Sequence, residues 1–169
     1  MRKCVFLALF ALLALVVRAQ DESGDLVKEG QQMPAFTIVN DNGTQVPSSS
    51  LKRKVILVNF FATWCPPCQK ELAEVQKMLW PKYKDNKDFV LLVIGREHTD
   101  VELQKYNEKK GFTFPLYPDK NRAIYGAFAK NLIPRSYLVD KTGKVVYATK
   151  GYSDEEFAEL MKRIEAALK

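Results

Sequence analysis

Val55-Ile56-Leu57-Val58-Asn59-Phe60-Phe61-Ala62-Thr63-Trp64-Cys65-Pro66-Pro67-Cys68 is the stretch on which the fold turns. Its first seven residues are almost continuously apolar, which suits a central strand of an α/β sheet, buried on both faces. The prolines at 66 and 67 suit the first turn of a helix, where a missing N–H is not needed. The helix predicted there runs from about Cys65 towards Trp80, where Pro81 is expected to interrupt it. Cys68, Leu72, Val75 and Leu79 share one helical face, so Cys68 is expected to point inward.

Two cysteines at a strand-to-helix handover suggest a particular chemistry. Thiol–disulfide exchange needs a thiolate nucleophile and a second thiol to resolve the mixed disulfide. The unpaired N–H groups and dipole of a helix start favour a thiolate at Cys65. The spacing puts Cys68 beneath Cys65, within bridging reach. Cys65 is therefore expected to attack and Cys68 to resolve. A structural staple is a poor account of the pair, because so small a loop constrains the unfolded chain by roughly 2 kcal/mol. Zinc needs four ligands, or three plus water. Beyond the leader the chain offers two cysteines and His98, so neither a metal nor another cofactor is expected.

Outward from this stretch, the N-terminus reads as an export signal. Arg2 and Lys3 form a positive start, residues 4–17 are unbroken apolar, and Ala19 supplies the small residue a signal peptidase requires. The run is short against the roughly 20 residues of a membrane span. Residues 1–19 are read as a signal peptide cleaved after Ala19 or Gln20, with an uncleaved anchor as the alternative. Cys4 is then an apolar member of the leader. Residues 20–32 are polar, contain Gly24 and Gly30, and read as a flexible tether. The folded domain is expected over residues 33–169.

The formal net charge of +6 halves once Arg2, Lys3 and Arg18 of the leader are set aside, and no Lys/Arg run exceeds the three residues 52–54. Such a surface is no nucleic-acid footprint, and nucleic-acid binding is not expected. A hydrophobic share of 47% supports a real core.

Phe36 and Ile38, the turn Asp41-Asn42-Gly43 and the return Thr44-Gln45-Val46 predict a hairpin. Residues 89–94 predict a second buried strand. Thr99 and Glu102 have capping-box spacing, and Gly111 closes the helix between them. A short apolar stretch at 112–116 and a weak helix at 121–129 follow. Residues 136–139 and 144–148 predict a hairpin around Lys141-Thr142-Gly143. The last helix has capping-box spacing at Ser153 and Glu156 and an apolar stripe at Phe157, Leu160, Met161, Ile164 and Leu168. The sum is a mixed sheet covered by helices.

From Met33 to Lys169 the sequence resembles the TlpA/ResA-like branch of the thioredoxin superfamily. Met33-Pro34-Ala35-Phe36 is similar to the family's first strand and Gly43 to its hairpin glycine. Residues 55–68 carry the strongest match. Ile133-Pro134, followed by Ser136-Tyr137-Leu138-Val139-Asp140 and Gly143, is similar to its cis-proline loop and hairpin. The resemblance implies a thioredoxin fold with a mixed central sheet flanked by helices and an N-terminal β-hairpin. The 65 residues between Cys68 and Pro134 leave room for the branch's strand–helix insertion.

Pro134 is read as cis, since X–Pro bonds tolerate that form at modest cost. In the resembling family this turn packs beside the two cysteines. Ile133 would then offer backbone groups to a substrate strand. Trp64 is read as a partly exposed docking residue, with simple packing as the alternative. Asn59 stands where many thioredoxins carry a buried acid, and an amide cannot shuttle the Cys68 proton. Another group or water must then do so. Glu97, where some members of the resembling family place an acid near the cysteines, is the candidate proton relay, with a solvated loop carboxylate as the alternative, while His98 is read as a surface loop residue.

The resemblance further implies a reductase of protein disulfides in the periplasm or cell envelope, and a monomer is expected. Apocytochrome c is a candidate substrate, and electrons would come from a membrane thiol–disulfide carrier. A disulfide oxidase and a non-catalytic adaptor are the alternatives. The short insertion argues against the first and the intact cysteine pair against the second. A peroxidase frame of Pro-x-x-x-Thr/Ser-x-x-Cys is not matched at either cysteine.

Overall fold

In the computed structural model, which describes residues 24–40 and 42–169, the whole apolar run Val55–Phe61 is buried. The hairpin ahead of it pairs Thr37–Val39 (β1) with Gln45–Pro47 (β2). Gly43 closes its turn at φ 78°, a conformation that favours glycine. Asp41 and the expected signal peptide, residues 1–19, lie outside the described residues.

The run itself is β3 (Val55–Phe61). It pairs in parallel with β4 (Phe89–Arg96) and antiparallel with β6 (Arg135–Val139). β5 (Leu116–Asp119) extends the parallel side, and β7 (Val145–Lys150) the antiparallel side. The sheet order is β5-β4-β3-β6-β7.

Strand side chains alternate between faces, and β3 feeds two cores. Val55, Leu57 and Phe61 pack with Leu72, Val75 and Ile164. Ile56, Val58 and Phe60 pack with Ile38, Phe128 and Tyr137. Asn59 shares the first face with Leu57 and Phe61, so it is aimed at the helix that follows β3. That helix, α1 (Pro66–Glu74), buries Cys68 and Leu72 as its spacing predicts, and Val75 and Leu79 continue the buried stripe.

Pro81 does not interrupt this helix, contrary to the expectation. The chain runs on through a π-helical stretch, Val75–Leu79, into α2 (Trp80–Tyr83). A proline within a helix lacks a donor and crowds the carbonyl four residues back. The helix meets this by widening its pairing just upstream, where Trp80 N–H donates to Val75 C=O.

α3 (Asp100–Lys110) has the expected capping box, with Thr99 and Glu102 bonding reciprocally, and Gly111 ends it in a left-handed conformation. α4 (Tyr125–Phe128) is a single turn between β5 and Pro134. α5 (Asp154–Leu168) starts where Ser153 Oγ accepts the Glu156 N–H. It buries Phe157, Leu160 and Ile164, while Met161 and Leu168 pack at the margin.

The flexible tether expected over residues 20–32 is corrected for residues 24–32. Leu26 and Val27 N–H both donate to Phe128 C=O, and Gly30 N–H donates to Val145 C=O. Val27 is buried in the second core. One buried apolar side chain is enough to dock a segment whose backbone also finds partners. We call residues 24–32 the strap.

Candidate active site

Cys65 ends the turn out of β3 and is the N-cap of α1. Pro66 and Pro67 occupy the first two helical positions and have no N–H to give. The first available donor is therefore that of Cys68, and it points at Cys65 Sγ, 3.3 Å away. A sulfur in this place accepts one of the orphan donors of the helix start and lies at the positive end of its dipole. Cys65 and Cys68 form a disulfide, with Cα atoms 5.3 Å apart. Cys65 retains 4% of its surface and Cys68 none, so an outside thiol or disulfide reaches Cys65 first.

The Ile133–Pro134 bond is cis, and its loop lies beside the dithiol, with Ile133 C=O 3.9 Å from Cys65 Sγ. Trp64 and Leu132 stand out of the surface on either hand, 61% and 57% exposed. Trp64 therefore presents most of its ring to solvent. Its ring is steadied by the Arg96 guanidinium, 5.6 Å from the ring centroid.

The turn carrying Trp64 is held from two sides. Thr63 N–H donates to His98 Nε2 at 3.0 Å, and Gln69 Nε2 donates to Thr63 C=O at 2.8 Å. His98 is thus no surface loop residue: it is buried. The loop after β4 turns inward at Glu97, φ 67°, and this turns the ring under the Thr63 backbone. As an acceptor at Nε2 the ring is neutral there, and burial pushes its pKa below the usual histidine value, with Arg96 adding to the effect and Glu102 and Glu97 opposing it.

Glu97 itself pairs with two guanidinium groups, Arg96 at 3.0 Å and Arg122 at 3.6 Å. The acid buried behind the dithiol is another one, Glu71, 3% exposed. Glu71 lies one helical turn beyond Cys68 on the same face of α1, where such pairs are neighbours. Its carboxylate accepts from Asn59 Nδ2 at 2.9 Å and from Ser136 Oγ at 3.0 Å. Asn59 Nδ2 also donates to Ser136 Oγ at 2.9 Å. The grouping follows from register, since Asn59 and Ser136 are direct partners across β3 and β6.

Burial pushes the Glu71 carboxyl up to about 7, against the pull of its two hydrogen bonds. A carboxyl near 7 can hold or release a proton under ordinary conditions. The helical stripe of the sequence contained the signal for Glu71: position 71 falls between Cys68 and Leu72 on a face otherwise apolar. His98 left no comparable trace. Among the described residues no cluster of three or more His, Cys, Asp or Glu is arranged to hold a metal.

Comparison with known proteins agrees with this geometry. The Redoxin family matches residues 28–165. The thiol-disulfide oxidoreductase ResA of Bacillus thuringiensis is 33% identical over 127 residues, covering 75% of this chain and 72% of that one. The solution structure of a candidate protein disulfide isomerase from Bacteroides thetaiotaomicron superposes with a TM-score of 0.82. It is 38% identical and covers 86% of this chain and 92% of that one. A candidate thiol:disulfide interchange protein DsbE from Chlorobium tepidum gives 0.71 at 25% identity, covering 85% and 99%. The Redoxin match over most of the chain and the likeness to ResA place the chain in the Redoxin family as a TlpA/ResA-like thiol–disulfide oxidoreductase of thioredoxin fold.

Proposed function

We propose that the protein is an exported reductase of protein disulfides, acting through the Cys65/Cys68 dithiol. The observation that carries this reading is the Cys65 sulfur at the N-cap of α1, accepting the Cys68 N–H, with a proton-holding acid, Glu71, one turn beyond Cys68. In the reduced protein the Cys65 thiolate attacks one sulfur of a substrate disulfide. The other substrate sulfur leaves as a thiolate and takes up a proton. Glu71 then accepts the Cys68 proton, and Cys68 attacks the Cys65 sulfur of the mixed disulfide. The substrate departs as a dithiol two electrons richer, and the protein is left with the Cys65–Cys68 bridge. Glu71 thus takes the relay role expected of Glu97.

Trp64, Leu132 and the Ile133 backbone form the surface that receives the substrate chain. The leader ending at Ala19 supports export to the periplasm or cell envelope, with cysteines of apocytochrome c as a candidate substrate. A dithiol carrier in the membrane would restore the two electrons, since each turnover oxidises the protein. The deciding measurement is the equilibrium potential of the pair against glutathione, together with reduction of insulin. A potential near the thioredoxin end of the range, about −270 mV, is expected. One near the strongly oxidising end, about −120 mV, would overturn the direction proposed here and leave an oxidase.

A further inference from the structure

Arg135, the first residue of β6, directly follows Pro134 and is 1% exposed. A guanidinium so deeply withdrawn from water needs partners throughout. Its Nε donates to Asn131 C=O at 2.9 Å, and its Nη1 donates to the Tyr137 hydroxyl at 3.5 Å and to the Asp25 carboxylate. Asp25 belongs to the strap and also takes Lys150 Nζ at 3.2 Å. One side chain thus joins the strap to the start of the loop that faces the dithiol.

The rest of that loop is tied in the same manner. Leu132 C=O accepts the Tyr125 hydroxyl at 2.7 Å, and Pro134 C=O accepts the Gly151 N–H at 2.9 Å. Between these two anchored carbonyls, that of Ile133 faces Cys65 Sγ. The strap reaches the loop directly as well. Gly24 C=O accepts the Lys130 N–H at 2.8 Å. A Cβ at Gly24 would fall 2.0 Å from Asn131 Oδ1, and its φ is +68°, so this close approach requires glycine.

We propose that Asp25 and Arg135 are positioning residues for the loop 131–134, so that the strap sets the surface on which a protein disulfide docks beside Cys65. The docking part rests on the reading of the dithiol as acting on protein substrates. Neutralising Asp25 takes one charged partner from a buried guanidinium. The guanidinium must then shift or draw in water, and the Asn131 carbonyl moves with it. The helix start that activates Cys65 is built from residues 65–68 and is not reached by this change. Asp25 therefore acts on where the substrate sits, and little on the chemistry of the dithiol.

The test uses the full chain with Asp25→Asn, and the double variant Asp25→Ala/Arg135→Met, which removes both charges together. Three quantities are read: amide hydrogen exchange, KM and kcat for insulin reduction, and the rate at which dithiothreitol reduces the oxidised protein. In Asp25→Asn, exchange at Lys130 and Gly151, whose amides tie the two ends of the loop, is expected to quicken about tenfold with the amides of α1 unchanged. KM for insulin should rise about fivefold, and more than the dithiothreitol rate falls. The double variant should lie closer to the wild-type melting temperature than Asp25→Asn does, since the buried cation goes together with its carboxylate, but should not regain the insulin KM. Unchanged exchange at Lys130 and Gly151 in Asp25→Asn overturns the proposal. So does recovery of the insulin KM by the double variant, which would reduce the pair to a purely structural role. A wild-type chain that reacts with dithiothreitol but not with insulin refutes the protein-reductase reading and with it the docking part. The exchange data still decide whether the strap positions the loop.

Discussion

Replacing Glu71 with glutamine should remove a pH-dependent burden on the folded state. The carboxyl titrates at 4.5 in the unfolded chain and at about 7 in the folded one. Below pH 4.5 both states hold the proton and nothing is lost. As pH rises past 4.5 the unfolded chain ionises while the folded one does not, so stability falls. The fall ends near pH 7, where the folded carboxyl ionises as well. At roughly 1.4 kcal/mol per pH unit the total comes to about 3 kcal/mol.

Glutamine has the same shape and titrates nowhere in this range. Its Oε1 can accept from Asn59 Nδ2, and its amide can donate to Ser136 Oγ, because a hydroxyl both gives and takes. The assay is urea unfolding of the oxidised proteins, followed by circular dichroism at pH 4 and pH 8. Between these values the wild type should lose about 3 kcal/mol more than Glu71→Gln. Every other titrating group is common to both proteins and cancels in the comparison. The same variant should accumulate mixed disulfide, because loss of a positioned base slows the attack of Cys68 about 100-fold. Parallel stability profiles, differing by under about 1 kcal/mol between the two pH values, would falsify the assignment of a near-neutral carboxyl to this site.

Limiting iodoacetamide at neutral pH should alkylate Cys65 of the reduced protein, because Cys68 is fully buried; peptide mapping that finds the label mainly on Cys68 would reverse the assigned roles. His98→Ala should cost about 1–3 kcal/mol, since Thr63 N–H loses its acceptor inside the fold. With the His98 pKa held below its usual value, the wild type should also lose stability relative to His98→Ala as pH drops below 6.5, where the unfolded histidine protonates and the folded one resists. A variant that keeps the same low-pH slope would point to another group. N-terminal sequencing of envelope protein should give Gln20 or Asp21, and retention of Met1 would favour an anchor.

The parts of the fold that follow from periodicity were legible in the sequence. The apolar run 55–61 became the central strand, and the stripe 68, 72, 75, 79 became the buried face of α1 and its continuation. The dithiol was legible because its residue types, spacing and place at a helix start all point to one chemistry. The place of Glu71 on the apolar stripe was legible too, but its partners stayed hidden, because they are distant in sequence. Glu71 matters through Asn59 and Ser136, 12 and 65 residues away, and Arg135 through Asp25, 110 residues away. No local pattern records such pairings. His98 was misjudged because a lone histidine in a polar loop has the composition of a surface residue, while the positive φ at Glu97 that turns it inward has no sequence mark. Pro81 was misjudged because the π-helical stretch that accommodates it is a backbone adjustment, invisible in residue types.

The strap also has a consequence for how copies of the chain meet. A five-stranded sheet has two outer strands, each a template for another chain. Along β7 the strap occupies the outer side: Gly30 N–H and Gln31 C=O both pair with Val145, and Glu29 Oε1 accepts the Ala148 N–H. At the opposite margin β5 is four residues long and contains Pro118, which has no N–H to offer. Both margins are therefore blunted against strand addition, one by a borrowed segment and one by its own composition. Loss of the strap would bare the β7 margin, and self-association through the sheet would then compete with folding to the single chain.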